Sequence, residues 1–197
     1  MALEDAINRS SVILPEHKPE LLRCLKTFPV NLEKWLYGVG IADASTLFQG
    51  DIILDIPVCF IDDSGETLLG KDAVALISHT CDMQLNRHDF IVVSPIVSFD
   101  EYKFLNNYEE NKERIDDLLT AIRKNDIFRY FYLPAQKGLP ESFIDFSRMV
   151  TISNAFLNSI KAIKAKNCIL SLSQIGSYLF LIKLTYHLAR MERPSQN

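Results

Sequence analysis

The chain has 197 residues, 48% of them hydrophobic and 23% charged, which is enough apolar material for one substantial core and excludes a disordered chain. A formal charge of -4 and a pI near 5.6 argue against a strongly basic nucleic-acid or membrane-surface protein, while leaving room for a local basic face. The opening MALEDAINRS has two acidic residues and no apolar run of a secretory signal, and the cysteines at 24, 59, 81 and 168 form no CxxC pair, so the expectation is a cytoplasmic protein with reduced thiols.

Residues 1 to 16 show no clear period. From Pro19 and Glu20 the run LLRCLKTF reads as a short helix, because proline suits the first turn and an acidic residue there meets the positive end of the helix dipole. Pro29 ends it. Asn31 is placed to cap a second short helix through Trp35 and Tyr37, which Gly38 and Gly40 stop. This N-terminal helical piece, residues 1 to 48, is expected to pack on the main domain. Asp51 to Phe60 is rich in Ile, Leu and Val and reads as a strand in which Pro57 signals an edge or a bulge. Asp62-Asp63-Ser64-Gly65 is a turn. Ala73 to Ser78 and Phe90 to Ile96 are short apolar runs that suit a barrel or a buried sheet, with a polar loop over Asp82 to Asp89 between them.

Ser98 followed by Glu101 is a capping-box pattern. Phe104, Tyr108, Ile115, Leu118, Leu119 and Ile122 then recur at helical spacing, giving one long helix or a helix pair over residues 99 to 125. The charges opposite that stripe read as a solvated face. Phe128 to Leu133 is a strand, Gln136 to Pro140 a turn, Phe143 to Ile152 another strand, and Asn154 to Ile160 a helical turn. Ser171 or Ser173 caps a final helix with Ile175, Leu179, Ile182 and Tyr186 on one stripe. Its run from Ile175 to Leu188 is interrupted by Lys183 and His187 and is too short to span a bilayer. Phe180, Leu181 and Leu184 make the helix apolar nearly all round, so it needs burial on more than one side, from the N-terminal helices or from a dimer interface. Residues 191 to 197 read as a tail.

Several side chains are candidates for chemistry. Ser78-His79-Thr80-Cys81-Asp82 places a thiol, an imidazole and a carboxylate close in sequence, the set needed for a nucleophilic cysteine whose base lowers the thiol pKa. The plainer alternative makes Cys81 a small buried hydrophobe and Asp82 a loop cap. Cys59, His79, Cys81 and His88 are a set of zinc-type ligands, but their spacing matches no finger or ribbon, and neither a metal nor a cofactor is expected. No Gly-rich phosphate loop precedes a helix. Basic residues interleave with aromatics at Arg123, Lys124, Phe128, Arg129, Tyr130 and Tyr132, which suits stacking on single-stranded nucleic acid, with Arg87 as a further contact; the alternative turns these aromatics into a core.

The order of these elements resembles the MazF/PemK-type toxins. The resemblance rests on Gly50-Asp51-Ile52 opening a strand, a hairpin, the Ala75-Leu76-Ile77-Ser78 strand end, Asn86-Arg87 in the loop, Pro95-Ile96, and Gly138 after a Leu-Pro segment. The Asp145-Phe146-Ser147-Arg148 strand and Leu170 to Ala189 complete it. It covers residues 49 to 190, with 99 to 125 as a helical insertion. It implies an α+β fold: a small SH3-like β-barrel, usually a homodimer, carrying N-terminal helices, the insertion and a C-terminal helix. RNA-cutting members of that family are metal-independent endoribonucleases whose activity centres on an arginine and a threonine. The matching positions here read Asp72, with Lys71 beside it, and Val97, with Ser98 adjacent. An aspartate repels the phosphate that an arginine fork would hold.

The expectation is therefore a non-catalytic, macromolecule-binding component of a bacterial toxin–antitoxin or phage-defence system. Its partner would be a protein or a second copy, with RNA or DNA as further candidates and no membrane. An endoribonuclease using Lys71, Ser98 or the His79/Cys81 pair, and a cysteine- or zinc-centred enzyme at Cys81-Asp82, are the alternatives.

Overall fold

Seven short runs rich in Ile, Val, Phe and Tyr pair into one antiparallel sheet, and the helical segments cover its faces and ends. The structure is a computed structural model and describes residues 3–26, 32–38, 46–61, 64–136, 138–160 and 168–189. The expectations at Pro29, Asn31, Gly40, Asp62, Asp63, Lys137 and the 191–197 tail lie outside the described residues. The strands are β1 (Ile52–Ile61), β2 (Thr67–Leu76), β3 (Phe90–Ser98), β4 (Tyr130–Leu133), β5 (Ser142–Asp145), β6 (Val150–Ser153) and β7 (Cys168–Leu170). Their order is β4-β5-β3-β2-β1-β7, with β6 also on β3. The class is α+β and the sheet is open.

Two irregularities bend the sheet. In β1 the register to β2 slips by one residue between Ile53 and Ile56, and Asp55 takes φ 59°, so the bulge precedes Pro57 rather than falling on it. The single strand expected over Phe143 to Ile152 is split: β5 pairs with β3 through Ile144 and Ile96, β6 through Val150 and Val93, and a 3-10 turn at Phe146–Arg148 separates them. Asp145 causes the break by accepting hydrogen bonds from the Ser147 N–H (2.9 Å) and hydroxyl (2.8 Å), which turns Phe146 into the core.

The sheet separates two apolar clusters. One holds Ile53, Ile56, Val58, Val74, Leu76, Ile91, Val93 and Ile152, closed by Met83 from the β2–β3 loop and by Leu157 of α6 (Asn154–Ile160, in the numbering below). The other is aromatic and lies under the helices, with Phe180 edge-on to both Phe131 and Phe146 at centroid distances of 5.3 and 5.5 Å.

The helices are α1 (Leu3–Arg9), α2 (Lys18–Lys26), α3 (Leu32–Leu36), α4 (Phe99–Leu105), α5 (Tyr108–Arg123), α6 as above, and α7 (Gln174–Ala189). The N-terminal segment without a sequence period contains α1, whose Ala6 and Ile7 are fully buried; two helical turns are too short to display a period. The 99–125 stretch is a helix pair. Ser98 caps α4 by accepting from the Glu101 N–H at 3.0 Å, and Asn107 at φ 51° separates α4 from α5.

Helix α7 finds its burial within the chain, against α2 and α3 on one side and β4 on the other. Ser173, rather than Ser171, caps it: its Oγ accepts from the Gly176 N–H at 3.0 Å and donates to the Trp35 carbonyl. Gly176 is required there, because a Cβ would lie 2.2 Å from the Leu36 carbonyl oxygen. Among the described residues no helix is long and apolar enough to cross a membrane.

Candidate functional site

The segment with the most chemistry-bearing side chains, residues 77–89, is a tight loop between β2 and β3. Ser78 ties its start to β3, with its Oγ accepting from the Val92 N–H at 2.8 Å and its own N–H donating to the Val92 carbonyl at 3.2 Å. Thr80 Oγ1 accepts from the Gln49 N–H at 3.2 Å, and Gln49 Nε2 donates to the Ile77 carbonyl at 2.6 Å, so the chain entering β1 braces the loop.

The far half of the loop hangs on one side chain that sequence reasoning passed over. Asn154, buried at the start of α6, directs Nδ2 at three loop carbonyls: Gln84 (3.0 Å), His88 (2.9 Å) and Asp82 (3.4 Å). Its backbone N–H donates to the Asp89 carbonyl at 2.9 Å. Asn158, one turn on, donates from Nδ2 to Asn154 Oδ1 at 2.8 Å and to the Met83 carbonyl at 3.3 Å. Met83 is buried between them. Two asparagines spaced i, i+4 on one helix face were the available sequence signal.

The loop so braced presents His79, Cys81, Arg87 and His88 to solvent. Cys81 is exposed, not a small buried hydrophobe. His79 does not activate it: the imidazole Nδ1 accepts from the Cys81 backbone N–H at 3.3 Å, and among the described residues the thiol has no hydrogen-bonded base. Asp82 faces a different imidazole, with its Oδ1 at 3.4 Å from His88 Nε2 and both side chains well hydrated. Among the described residues no group of three His, Cys, Asp or Glu side chains comes together to hold a metal ion, so Cys59, His79, Cys81 and His88 do not assemble.

Lys71 and Ser98 lie at the other end of β2. Continuing the Val74–Pro95 register would set Lys71 opposite Ser98, but the β2–β3 ladder ends at Val74 and β3 turns to pair with β5. Ser98 is engaged as the α4 cap, and Lys71 is exposed. Five residues of extended chain from Lys71 to Leu76 span roughly 17 Å, so the candidate catalytic residues fall into two groups that do not share a site.

The basic and aromatic residues over 123 to 132 are drawn into the fold. Tyr130 and Tyr132 are buried in β4. Arg123 makes a bidentate pair with Glu141, Nε to Oε1 and Nη2 to Oε2, both at 2.7 Å, and stacks over Phe99. Tyr132 OH donates to the same Glu141 Oε1 at 2.6 Å. Hydrogen bonds from Arg123, opposed by burial and reinforced by Tyr132, hold the Glu141 carboxyl below its ordinary range. Arg129 pairs equally with Asp145 at 2.8 and 2.6 Å. Burial works against the Asp145 charge, yet the Arg129 fork and the two Ser147 donors outweigh it and keep that carboxyl low. Lys124, at the end of α5, is exposed.

Nearby lies a buried amine. Lys183 of α7 is wholly inaccessible, and its Nζ donates to Oδ1 and to the backbone carbonyl of Asn125 at 2.7 and 3.1 Å. Two acceptors match the two N–H bonds of a neutral amine. Desolvation pushes the Lys183 pKa well below its usual value, with Asp126 acting weakly the other way.

The fold and the loop thus define an α+β protein with an open antiparallel sheet and a hydrogen-bonded, solvent-facing loop at one end of it. Comparison with protein-family models, curated proteins and solved structures finds no match for the chain.

Proposed function

We propose that this chain is a non-catalytic, macromolecule-binding component of a bacterial toxin–antitoxin or phage-defence system, with its curled sheet a divergent MazF-like barrel. The observation that carries the non-catalytic reading is the separation along β2: Lys71 and Ser98 toward one end, His79, Cys81 and Asp82 at the other, with Ser98 already a helix cap and the Cys81 thiol without a hydrogen-bonded base among the described residues. The sheet is open, but β1 comes near β6, and Arg148 stacks on Phe60 at 4.7 Å beside the smaller apolar cluster, which supports the reading of a divergent barrel. The barrel assignment and the locus rest on the resemblance in element order.

A chemical test comes first. The purified protein, incubated in excess with a mixed single-stranded RNA pool with and without chelator, is expected to leave the pool intact. Discrete chelator-resistant cuts that disappear in Lys71→Ala and Ser98→Ala would overturn the proposal in favour of an endoribonuclease, the second reading. Co-expression with the adjacent reading frame is expected to yield a stable complex.

A further inference from the structure

We infer that the corner between α4 and α5 is a docking groove for a basic segment of a partner protein, which seats one large apolar side chain beside Phe104 and sets lysines or arginines against Glu109 and Glu110. The inference rests on the macromolecule-binding role proposed above and narrows the partner to a protein. The two fail separately: RNA cleavage would remove that role, whereas the peptide measurements below decide the groove.

Helical spacing puts Phe104 and Tyr108 on the inward stripe of residues 99 to 125, but the turn at Asn107 breaks that stripe. Ile115, Leu119 and Ile122 reach the core, while Phe104 is left 83% exposed and Leu105 62%. Lys103, Phe104, Asn107, Tyr108, Glu109 and Glu110 line a mostly apolar groove of about 380 Å³ at the corner. That volume falls within the range of ligand clefts, roughly 300–1,000 Å³. The backbone beneath it is fixed before a partner arrives: Asn106 Nδ2 donates to the Tyr102 carbonyl at 2.8 Å, and Asn111 Nδ2 to the Asn106 and Asn107 carbonyls at 3.1 and 3.3 Å. A preformed groove loses little conformational entropy on binding.

Charge decides the occupant. Residues 100–117 carry seven carboxylates against three Lys and Arg, a net of -4, which equals the formal charge of the whole chain, so the rest of the sequence is balanced. Glu109 and Glu110 stand exposed on the rim, and Asp100, Glu101, Glu113 and Asp117 are exposed on the same helix pair. The groove already receives one cation from its own chain. Lys103 Nζ lies 5.0 Å from the centroid of the Tyr108 ring, whose hydroxyl donates to both Asp116 carboxylate oxygens at 3.0 and 3.1 Å. The ring quadrupole draws a cation to that face, and Asp116 adds negative charge at its edge. RNA, DNA and the anionic face of a membrane carry the same sign as this rim and are repelled. A basic protein segment carries the opposite sign and brings an apolar side chain to cover Phe104.

The full chain is used to select from a displayed library of random peptides, and the selected peptides are measured by fluorescence anisotropy. They are expected to share an aromatic residue or leucine flanked by lysines and arginines. Phe104→Ala is expected to weaken them about tenfold or more, the loss that marks an apolar anchor. Glu109→Lys combined with Glu110→Lys is expected to weaken them by a similar factor at low salt, with the difference shrinking as salt rises. All three positions are exposed, so the circular dichroism of both variants should match the parent. Leu69→Ala, at an apolar position of β2 that is 82% exposed, is expected to change nothing. Selected peptides without basic residues, the lack of any shared pattern, or affinities indifferent to the groove variants would each overturn the inference. So would displacement of the bound peptide by single-stranded RNA, which would give the surface to nucleic acid, or self-association that Phe104→Ala abolishes, which would give it to a second copy.

Discussion

The two polar clusters flanking the sheet are built on opposite principles. On the helical side Arg123 and Arg129 meet partners supplied by the fold, Glu141 and Asp145, and the buried Lys183 amine meets the carbonyls of Asn125. At the other end, the 77–89 loop is held by neutral amides, and its titratable side chains point into water. Bidentate, partly buried ion pairs occupy the donors and acceptors of both partners, so those residues lose their availability for ligands. Amides that satisfy backbone carbonyls leave the charged side chains of the loop uncommitted.

The sharpest way to break this comparison is Asn154→Ala. It strips two N–H donors from three loop carbonyls in a buried position, and the expected loss is about 3 kcal/mol of unfolding free energy, set by the cost of unsatisfied buried acceptors. Hydrogen exchange across residues 82 to 89 should accelerate more than exchange in β4. A loss below about 1 kcal/mol would mean that Met83 packing, not Asn154, orders the loop.

On the helical face, Asp145→Ala should cost about 2 kcal/mol by chemical denaturation: the Ser147 donors and the capped turn lose their acceptor, while Arg129, 42% exposed, recovers hydration. The pH dependence follows from the lowered pKa values of Asp145 and Glu141. Their contribution is full above about pH 4.3, where both would be ionised even in the unfolded chain, and disappears as pH falls through the lower folded values. Glu141→Gln should therefore shallow the acid limb of the stability curve and leave its neutral region less changed.

Lys183 gives the opposite sign. Its folded pKa is depressed, so the unfolded chain binds the proton that the folded chain lacks, and stability rises with pH toward the unfolded value of about 10.4. Relative to Lys183→Met, the parent protein should gain stability with rising pH between the depressed folded pKa and about pH 9.5, with a slope approaching about 1.4 kcal/mol per pH unit. Equal slopes in the two proteins would show that the amine is charged in the folded state.

The contrast also explains what the sequence disclosed. The core strands, the Ser98 cap and the final helix were legible because short-range signals fix them: capping chemistry, β-branched runs and helical spacing; over residues 99 to 125 the spacing left one helix or two open, and Asn107 makes them two. The split of the strand at Phe146 was not legible from the apolar run alone, since it turns on the Asp145 carboxylate accepting from the Ser147 N–H and hydroxyl, and the same carboxylate is paired with Arg129, sixteen residues away. Nor was the structural use of Arg123, whose partner Glu141 stands across the β4–β5 pairing. His79, Cys81 and Asp82 read as one constellation because they are adjacent in sequence, but the loop turns His79 onto a backbone N–H and Asp82 toward His88.

That last pair sets the smallest effect. Asp82 and His88 approach to 3.4 Å with side chains 46% and 59% exposed, a geometry in which water screens the attraction and holding two side chains in place offsets most of it. The loop backbone at both residues is already fixed, by the Asp82 N–H to the His79 carbonyl and by the His88 carbonyl to Asn154. Asp82→Ala is therefore expected to change unfolding free energy by less than about 0.5 kcal/mol and to leave exchange at 82 to 89 unaltered. A loss near that of Asn154→Ala would place a side-chain pair, rather than amides, at the root of loop order, and the difference between the two ends of the molecule would vanish.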